Sequence, residues 1–485
     1  MILKGRRKIV TELSSEDLRD RTNLLKMIET TKTIHLLNKA DIDYLVEYKN
    51  GNQPILYKEK VVRDEINNVL VINHAQMITR NVIGYFLGTP IQYIQSGTEA
   101  KESIDLLNRY VAYEDKASTD KEIGEFQSIC GTGYRIIYTD GVFADEIPFE
   151  ERSLNPATTY VVYENSISEK PVAGITYYSV LDEENVVIGT KVYVYTEFGL
   201  HIIITDNDGL VVNSGDDNTF TPYDVGGVPI IEYPNNMWRL GDWELCIGLM
   251  DAINGLHSGR LDDIDQVIQS LLVFINADID TDGYDEMRER GLVLLKNNTG
   301  NPSSVESISN TLDQAGMNMF SEELKGMLYA LVGIPDRNSR SGGGGDTGQA
   351  VELRDGWADL EVVARNKELV FKKSEKQALR IILKIMNNKM GINLSLLDVD
   401  IKFTRNKNNN LMIKTQSYMN LLATKTISPA DCLTIVDLVS DVNEFISRGE
   451  SFWGERFAGN EPIPEPSKTE VIPPNDETTV VETPK

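Results

Sequence analysis

Two long stretches of helical periodicity, residues 312–331 and 350–386, flank a 17-residue polar stretch, 333–349, with four consecutive glycines at its middle. That arrangement restricts what the chain can fold into. A structureless connection longer than about 12–15 residues inside a compact domain is usually either functional or disordered. Here it also interrupts helices that the apolar pattern would otherwise continue.

A further helix is expected from Asp242, an N-cap candidate before Trp243, where Cys246, Leu249, Met250, Ile253, Leu256, Leu261, Ile264, Val267, Ile268 and Leu271 recur mostly at three- and four-residue steps. Extended to Phe274, it spans roughly 48 Å at 1.5 Å per residue. A rod of that length needs a partner for its apolar stripe. The helix at 312–331 is expected to return antiparallel to it, leaving residues 276–309 as an excursion at the far end. The helix after the glycines, with Leu360, Val363, Phe371, Ala378, Ile382 and Ile385 on its stripe, approaches about 55 Å.

Residues 1–110 read as helical with one hairpin-like piece, in which Tyr44 to Tyr48 and Pro54 to Tyr57 flank Asn50-Gly51. Between Tyr134 and Ile231 the period is that of strands, rich in β-branched and aromatic residues, and a small antiparallel sheet is expected. There is no βαβ alternation of the kind that builds a nucleotide-binding sheet. A short strand at 399–403 precedes two helices, 412–423 and 429–446, the second capped by Ser428. Residues 460–485 hold six prolines, repeated acids and few apolar side chains, the composition of a disordered tail.

At 485 residues, 41% hydrophobic and 25% charged, the chain has the composition of a globular protein with real cores. Its net charge of -26 argues against tight, sequence-independent nucleic-acid binding, which depends on Lys and Arg neutralising phosphates. It leaves room for DNA that only passes by. Cys130, Cys246 and Cys432 are far apart and form no CxxC pair, so reduced cytosolic thiols are expected. The first ten residues lack the apolar core of a secretion signal, and the longest uncharged run, 81–98, is broken by Gly84, Gly88, Pro90 and Gly97. No membrane span is expected. His35, His74, His201 and His257 show no paired or HExxH spacing.

Gly343 to Ala350, GGGDTGQA, misses the phosphate-loop motif, because Gln349 and Ala350 stand where Lys and Ser/Thr are required. Asp278, Asp280, Asp282 and Glu289, with Gly283 between, match the spacing of a calcium loop, in which alternate carboxylates converge on one hard cation. Asp285 stands where such a loop packs an aliphatic residue, and a solvated acidic turn is the competing reading. No nucleophile elbow or Cys/His arrangement is present, so no catalytic residue and no cofactor is assigned. In the glycine-bearing stretch Arg337 and Arg340 supply positive charge, and Asn338, Ser339, Ser341 and Thr347 supply hydrogen-bonding groups. Gly342, Gly343, Gly344, Gly345 and Gly348 allow close approach of backbone to a ligand, and Asp346 and Gln349 complete the run. The alternatives are a surface linker and a finger touching a polyanion.

Several stretches, taken in order, resemble one known family. They are Tyr48-Lys49-Asn50-Gly51, Asn73-His74-Ala75-Gln76-Met77-Ile78, Tyr85-Phe86-Leu87-Gly88-Thr89-Pro90, and Gly131-Thr132-Gly133-Tyr134 before a strand. Next come Asn155-Pro156, then Val228-Pro229-Ile230-Ile231-Glu232-Tyr233-Pro234-Asn235-Asn236 leading through Gly241-Asp242-Trp243-Glu244 to Ile253-Asn254. Together with the helix order, this resembles the portal proteins of tailed bacteriophages, especially siphophages of Gram-positive hosts, over roughly residues 40–455. The ending Gly348-Gln349-Ala350-Val351 departs from that family's usual small, apolar loop ending.

The resemblance implies an α+β fold: an elongated subunit with long stem helices, an antiparallel-sheet wing, a small α/β clip and a helical crown. The wing would be 1–240, the stem 242–275 and 310–333, the clip 276–309, the tunnel loop 334–349, the helix joining wing and crown 350–399, and the crown 400–459. It implies a non-enzymatic virion protein assembled in the host cytoplasm into a ring of usually twelve copies at one capsid vertex. The partners implied are double-stranded DNA in the channel, terminase, a head-completion or adaptor protein, and capsid and scaffold proteins. A twelve-membered ring would carry roughly -312 formal charges, twelve times -26, and such repulsion is largely screened beyond a Debye length of about 8 Å. An acidic channel of this kind resists sticking without blocking passage. The alternatives from the residues alone are a metal-dependent nuclease or other phosphoryl-transfer enzyme using the acids at 278–289, and a cytosolic scaffold.

Overall fold

Helix α1, Arg21–Asn50, forms because Leu24, Met27, Ile28, Thr31, His35, Asn38, Ile42, Leu45 and Tyr48 bring one face into the core at helical steps. A computed structural model of the chain describes residues 5–61, 64–96, 101–139, 147–206, 211, 220–268, 271–275, 304–308, 314–335, 357–405, 411–424, 426–436, 438–439 and 442–457. The chain divides into two compact units, residues 1–407 and 408–485. The carboxylate of Asp20 caps α1 by accepting the Thr22 N–H at 2.9 Å. At its end Gly51, with φ 102°, lets its own N–H and that of Asn52 reach back to the Tyr48 and Glu47 carbonyls. The expected hairpin around Asn50-Gly51 is therefore absent: residues 44–48 are helical and Pro54–Tyr57 is a 3-10 turn. Positive φ serves a helix C-cap as well as a hairpin turn, and the apolar period reaching back to Leu24 outweighs the local turn signal.

The expected small antiparallel sheet is two sheets. In the larger, β1 (Ile9–Thr11) lies parallel to β5 (Thr159–Glu164), and β6 (Pro171–Leu181), β7 (Val187–Thr196), β8 (Gly199–Asp206) and β9 (Phe220–Pro222) follow antiparallel. In the smaller, β3 (Thr132–Tyr138) lies between β4 (Glu150–Leu154) and β10 (Ile230–Pro234). Tyr134, Ile136, Val161 and Ile230 pack between them. Gly174 is so close to Ile230 that an added Cβ would lie 2.5 Å from the isoleucine Cβ. Helices α2 (His74–Phe86), α3 (Lys101–Tyr113) and α4 (Lys116–Cys130) accompany the small sheet, α4 running through Gly131 directly into β3.

After a 3-10 turn at Glu244–Cys246, α5 runs Ile247–Ile268, 22 residues or about 33 Å. It stops short of Phe274, because Leu271–Ile275 is strand β11, paired antiparallel with β12, Ser304–Ile308. The run Leu-Leu-Val-Phe-Ile suits either period, and its β-branched and aromatic members favour a strand once a partner lies alongside. Nor does Asp242 cap the helix: its carboxylate is engaged by Lys367 and Asn235, and Trp243 precedes the 3-10 turn. Helix α6, Gln314–Val332, returns antiparallel to α5, with His257 bonded to Ser321 at 2.8 Å and Arg260 donating to Gln314 at 2.6 Å. Strands β11 and β12, which follow α5 and precede α6 in the chain, are likewise antiparallel.

Helix α7, Trp357–Met390, is 34 residues or about 51 Å long. Its buried residues Phe371, Ala378, Leu379, Ile382, Ile385 and Met386 join Phe86, Tyr93, Ile137 and Tyr233 in the largest core cluster. The strand at Val399–Lys402, β13, pairs with Gln92–Gln95, β2, and so belongs to the first unit. In the second unit Leu411–Ala423 precedes Pro429–Val436 and Val442–Phe457, so the single helix expected at 429–446 is broken. The sequence between these two helices is rich in Asp and Ser, residue types whose side chains compete with the helix for backbone hydrogen bonds. Ser428 does cap the middle helix, accepting the Asp431 N–H at 3.1 Å. Among the described residues no helix is long and apolar enough to cross a membrane.

Gly131 has φ 78°, and a Cβ there would lie 2.0 Å from the Arg239 carbonyl oxygen. Gly131→Ala is expected to lower the thermal midpoint sharply, by more than the roughly 1 kcal/mol of left-handed strain alone. Gly84→Ala, inside α2 with open space around it, is expected to be neutral or stabilising by about 0.5–1 kcal/mol. Differential scanning fluorimetry compares the two, and equal midpoints would contradict the close approach.

Candidate functional site

The glycine stretch 337–349 and the acids Asp278, Asp280, Asp282 and Glu289 lie outside the described residues. What the structure describes is the frame that holds the stretch. Helix α6 ends at Gly333, φ 75°, whose N–H and that of Ile334 both return to the Tyr329 carbonyl, at 2.9 and 3.0 Å. A Cβ on Gly333 would meet the Val363 side chain at 3.0 Å and the Asp359 carbonyl at 3.6 Å. The chain therefore leaves α6 against the first turns of α7 and must come back to the same place at Trp357. Val332, Ile334 and Leu360 seal this base in one buried cluster with Trp243, Met250, Ile253 and Leu328. Glu361, one turn further on, accepts hydrogen bonds from Tyr85 at 2.8 Å and Arg405 at 3.0 Å.

On another face α5 carries a strap. Asn254, Ser258 and Asp262 each accept a main-chain N–H from Ile72, Leu70 and Asn68, at 2.9, 3.0 and 2.6 Å. The steps match because four helical residues rise about 6 Å and two extended residues about 6.7 Å. The strap runs antiparallel to the helix. It is pinned further by Lys58 on Asp262 at 2.7 Å, by the Asn68 amide on Asp265 at 2.6 Å, and by Asn254 donating to Gln53 at 2.6 Å.

Above α5 lies a corner built from the stretch 228–244. Glu232 accepts two hydrogen bonds from Arg239, at 2.6 and 2.9 Å, one from Tyr163 at 2.8 Å and one from Thr132 at 3.1 Å. Asn235 donates to the Leu240 carbonyl and to Asp242, both at 2.9 Å, and accepts from Lys367 at 2.5 Å, while Lys367 pairs with Asp242 at 2.9 Å. The Trp243 indole N–H donates to Thr79 at 3.0 Å, and Glu244 accepts from the Gly241 N–H at 2.9 Å and from Arg6 at 2.5 Å. These polar residues thus close the turn or tie it to the N-terminal segment at Arg6, to β3 and β5, to α2 and to α7.

Beside that corner is the most heavily charged part of the core. Arg135 on β3 pairs with Asp120 on α4, with Glu151 on β4 at 3.1 Å and with Glu375 on α7 at 3.3 Å. Lys116 bridges Asp120 at 2.6 Å and Glu375 at 3.1 Å. Tyr93 and Tyr233 donate to Glu375 at 2.5 and 2.8 Å. Three carboxylates face two cations, so one negative charge is in excess. Burial pushes Glu151 up to about 7 despite Arg135 and Lys116. Burial pushes Glu375 the same way, but Arg135, Lys116 and the two tyrosines outweigh it and hold that carboxyl at about 2. Glu151 therefore takes the proton that relieves the excess. Sequence reading passed over this cluster, although Glu375 stands within the stripe formed by Phe371, Ala378, Leu379 and Ile382, where a charge demands a partner.

Among the described residues no group of three or more His, Cys, Asp or Glu could hold a metal ion. Hydrophobic sealing, strapping and buried ion pairs are the means of holding long helices in fixed positions. Comparison with known families gives the class: the profile of the family described as phage portal protein, SPP1 Gp6-like, matches residues 28–450. The chain belongs to that family, and its function is that of a phage portal, a structural component of the virion that works as an oligomeric ring. DNA, capsid and terminase are the partners this membership implies. No individually curated protein matches the chain.

Glu151 stays protonated to a higher pH in the folded chain than in the unfolded one, so stability falls as pH rises from 4.5 to about 7. His35 and His74, whose burial lowers them from 6.5 to about 4, act in the opposite sense between those values. The test is therefore the difference between Glu151→Gln and the parent. In urea unfolding, that difference is expected to shift in favour of the variant between pH 5 and pH 8, by up to about 3 kcal/mol for a change from 4.5 to about 7. A difference that does not vary with pH would contradict the assignment.

Proposed function

We propose that the ring has twelve subunits and that residues 334–349 form the tunnel loop, one finger from each subunit reaching DNA in the channel. In this reading residues 242–275 and 310–333, which include α5 and α6, are the stem, residues 276–309 the clip, residues 1–240 the wing, residues 350–399 the helix joining wing and crown, and residues 400–459 the crown. The clip would meet the adaptor or head-completion protein, and assembly with scaffold and capsid proteins would take place in the host cytoplasm. Motor chemistry belongs to the terminase.

What supports this most is the second apolar face of α6. Ser321, Leu328 and Val332 turn inward in the subunit, while Met319, Phe320, Met327 and Leu331 remain exposed, Met319 and Leu331 each 72% accessible. Apolar surface on both sides of one helix suits a rod that is flanked by its own subunit and by the next copy around a closed ring. The glycines suit a backbone that passes close to the DNA, and Arg337 and Arg340 suit transient contacts to phosphate in a chain otherwise repelling it.

Two outcomes are expected. The double substitution Met319→Glu and Leu331→Glu changes exposed positions, so the monomer should keep its thermal midpoint while native mass spectrometry shows loss of the ring; an intact ring would remove α6 from the subunit contact. Deleting Gly342 to Gly345 should leave the ring intact in negative-stain images and impair DNA packaging. Loss of assembly in that deletion would count against the tunnel-loop assignment.

A further inference from the structure

Leu18, Leu24 and Ile203 floor a cavity of about 360 Å³ between the 3-10 turn at Asp17–Arg19, the start of α1, and strands β8 and β9. Its walls are aromatic. The Arg19 guanidinium stacks on Phe198, 3.7 Å from the ring centroid, and His201 lies against Phe220 with centroids 4.6 Å apart. Arg21 also lines the cavity. The volume is in the range of small-molecule sites, which combine an apolar lining with a few convergent polar groups. Two guanidinium groups, Arg19 and Arg21, stand beside this apolar floor, on a segment that also carries Glu16, Asp17 and Asp20. Arg19 pairs with Glu16 at 2.7 Å, but both side chains are exposed, and such a pair is readily exchanged for another anion.

From this geometry we infer that the cavity is a binding site for a small organic anion with an apolar, preferably aromatic, body. The floor receives the body, Phe198 and Phe220 flank it, and Arg19, exchanging Glu16 for the ligand, holds the carboxylate or sulfonate through charge-assisted hydrogen bonds, with the charge of Arg21 beside it. A free aryl carboxylate and the C-terminal phenylalanine of a peptide offer the same chemistry. The site is remote in function from the loop and stem and does not depend on their assignment.

The probe is anilinonaphthalene sulfonate titrated into the full chain, with uncharged phenylnaphthylamine as control. One saturable site per chain is expected for the anionic dye, weakened about tenfold, or 1.4 kcal/mol, by Arg19→Glu and by Arg21→Glu. Both replace exposed side chains, and unchanged thermal midpoints verify folding. Phenylpropionate and a short peptide ending in phenylalanine then compete for the site, and the tighter competitor identifies the source of the ligand. Equal response of both dyes to the substitutions, or displacement by neither competitor, overturns the assignment.

Discussion

The contact between Glu375 and Arg135 fixes how the longest helix sits on the rest of the first unit. Both side chains are fully buried, and a charge taken from water costs several kcal/mol unless it is paired and hydrogen-bonded. Glu375 meets that demand with two cations and two tyrosine hydroxyls drawn from β2, β3, α4 and β10. Sliding α7 by one turn would move the carboxylate about 5.4 Å and strand all of them. Apolar packing alone tolerates such slips far better, since neighbouring turns of the helix present similar residues. The ion cluster supplies register, and the surrounding Phe371, Leu379 and Ile382 supply the burial that makes register matter.

Register at Glu375 is carried outward along the helix. Towards its N-terminus, Lys367 ties α7 to the Asn235 and Asp242 corner, Glu361 ties it to Tyr85 and Arg405, and Leu360 closes the cluster that holds the end of α6. The strap on α5 makes a comparable connection for the other helix, joining it to the chain just before α2. A protein whose task is to hold a channel lining in place requires such rigid connections more than it requires a catalytic pocket. The acidity of the chain is compatible with that task, because few cations are left over to bind phosphate tightly.

Much of this was legible in the sequence. The helices at 314–332 and 357–390 and the strand at 399–402 follow directly from their apolar periods. The portal family was legible from the order of short motifs, and the structure explains the longest of them, since Glu232, Asn235, Asp242 and Glu244 each close a specific hydrogen bond in one corner. What failed was local ambiguity and distance. Asn50-Gly51 serves helix and hairpin alike, and Leu271–Ile275 suits both periods. The partnership of β10 with β3 spans nearly the whole larger sheet in sequence, and nothing in either strand names the other. The charge cluster was missed for the same reason: its five members come from four elements.

Because Gly333 rests on Asp359 and Val363, the two ends of the intervening segment are joined at a single point. Closing a longer or shorter segment there alters the free energy only slowly, by about 0.6 kcal/mol for each doubling of length. The segment can therefore change in length at little energetic cost, while the packed scaffold beneath it stays as it is.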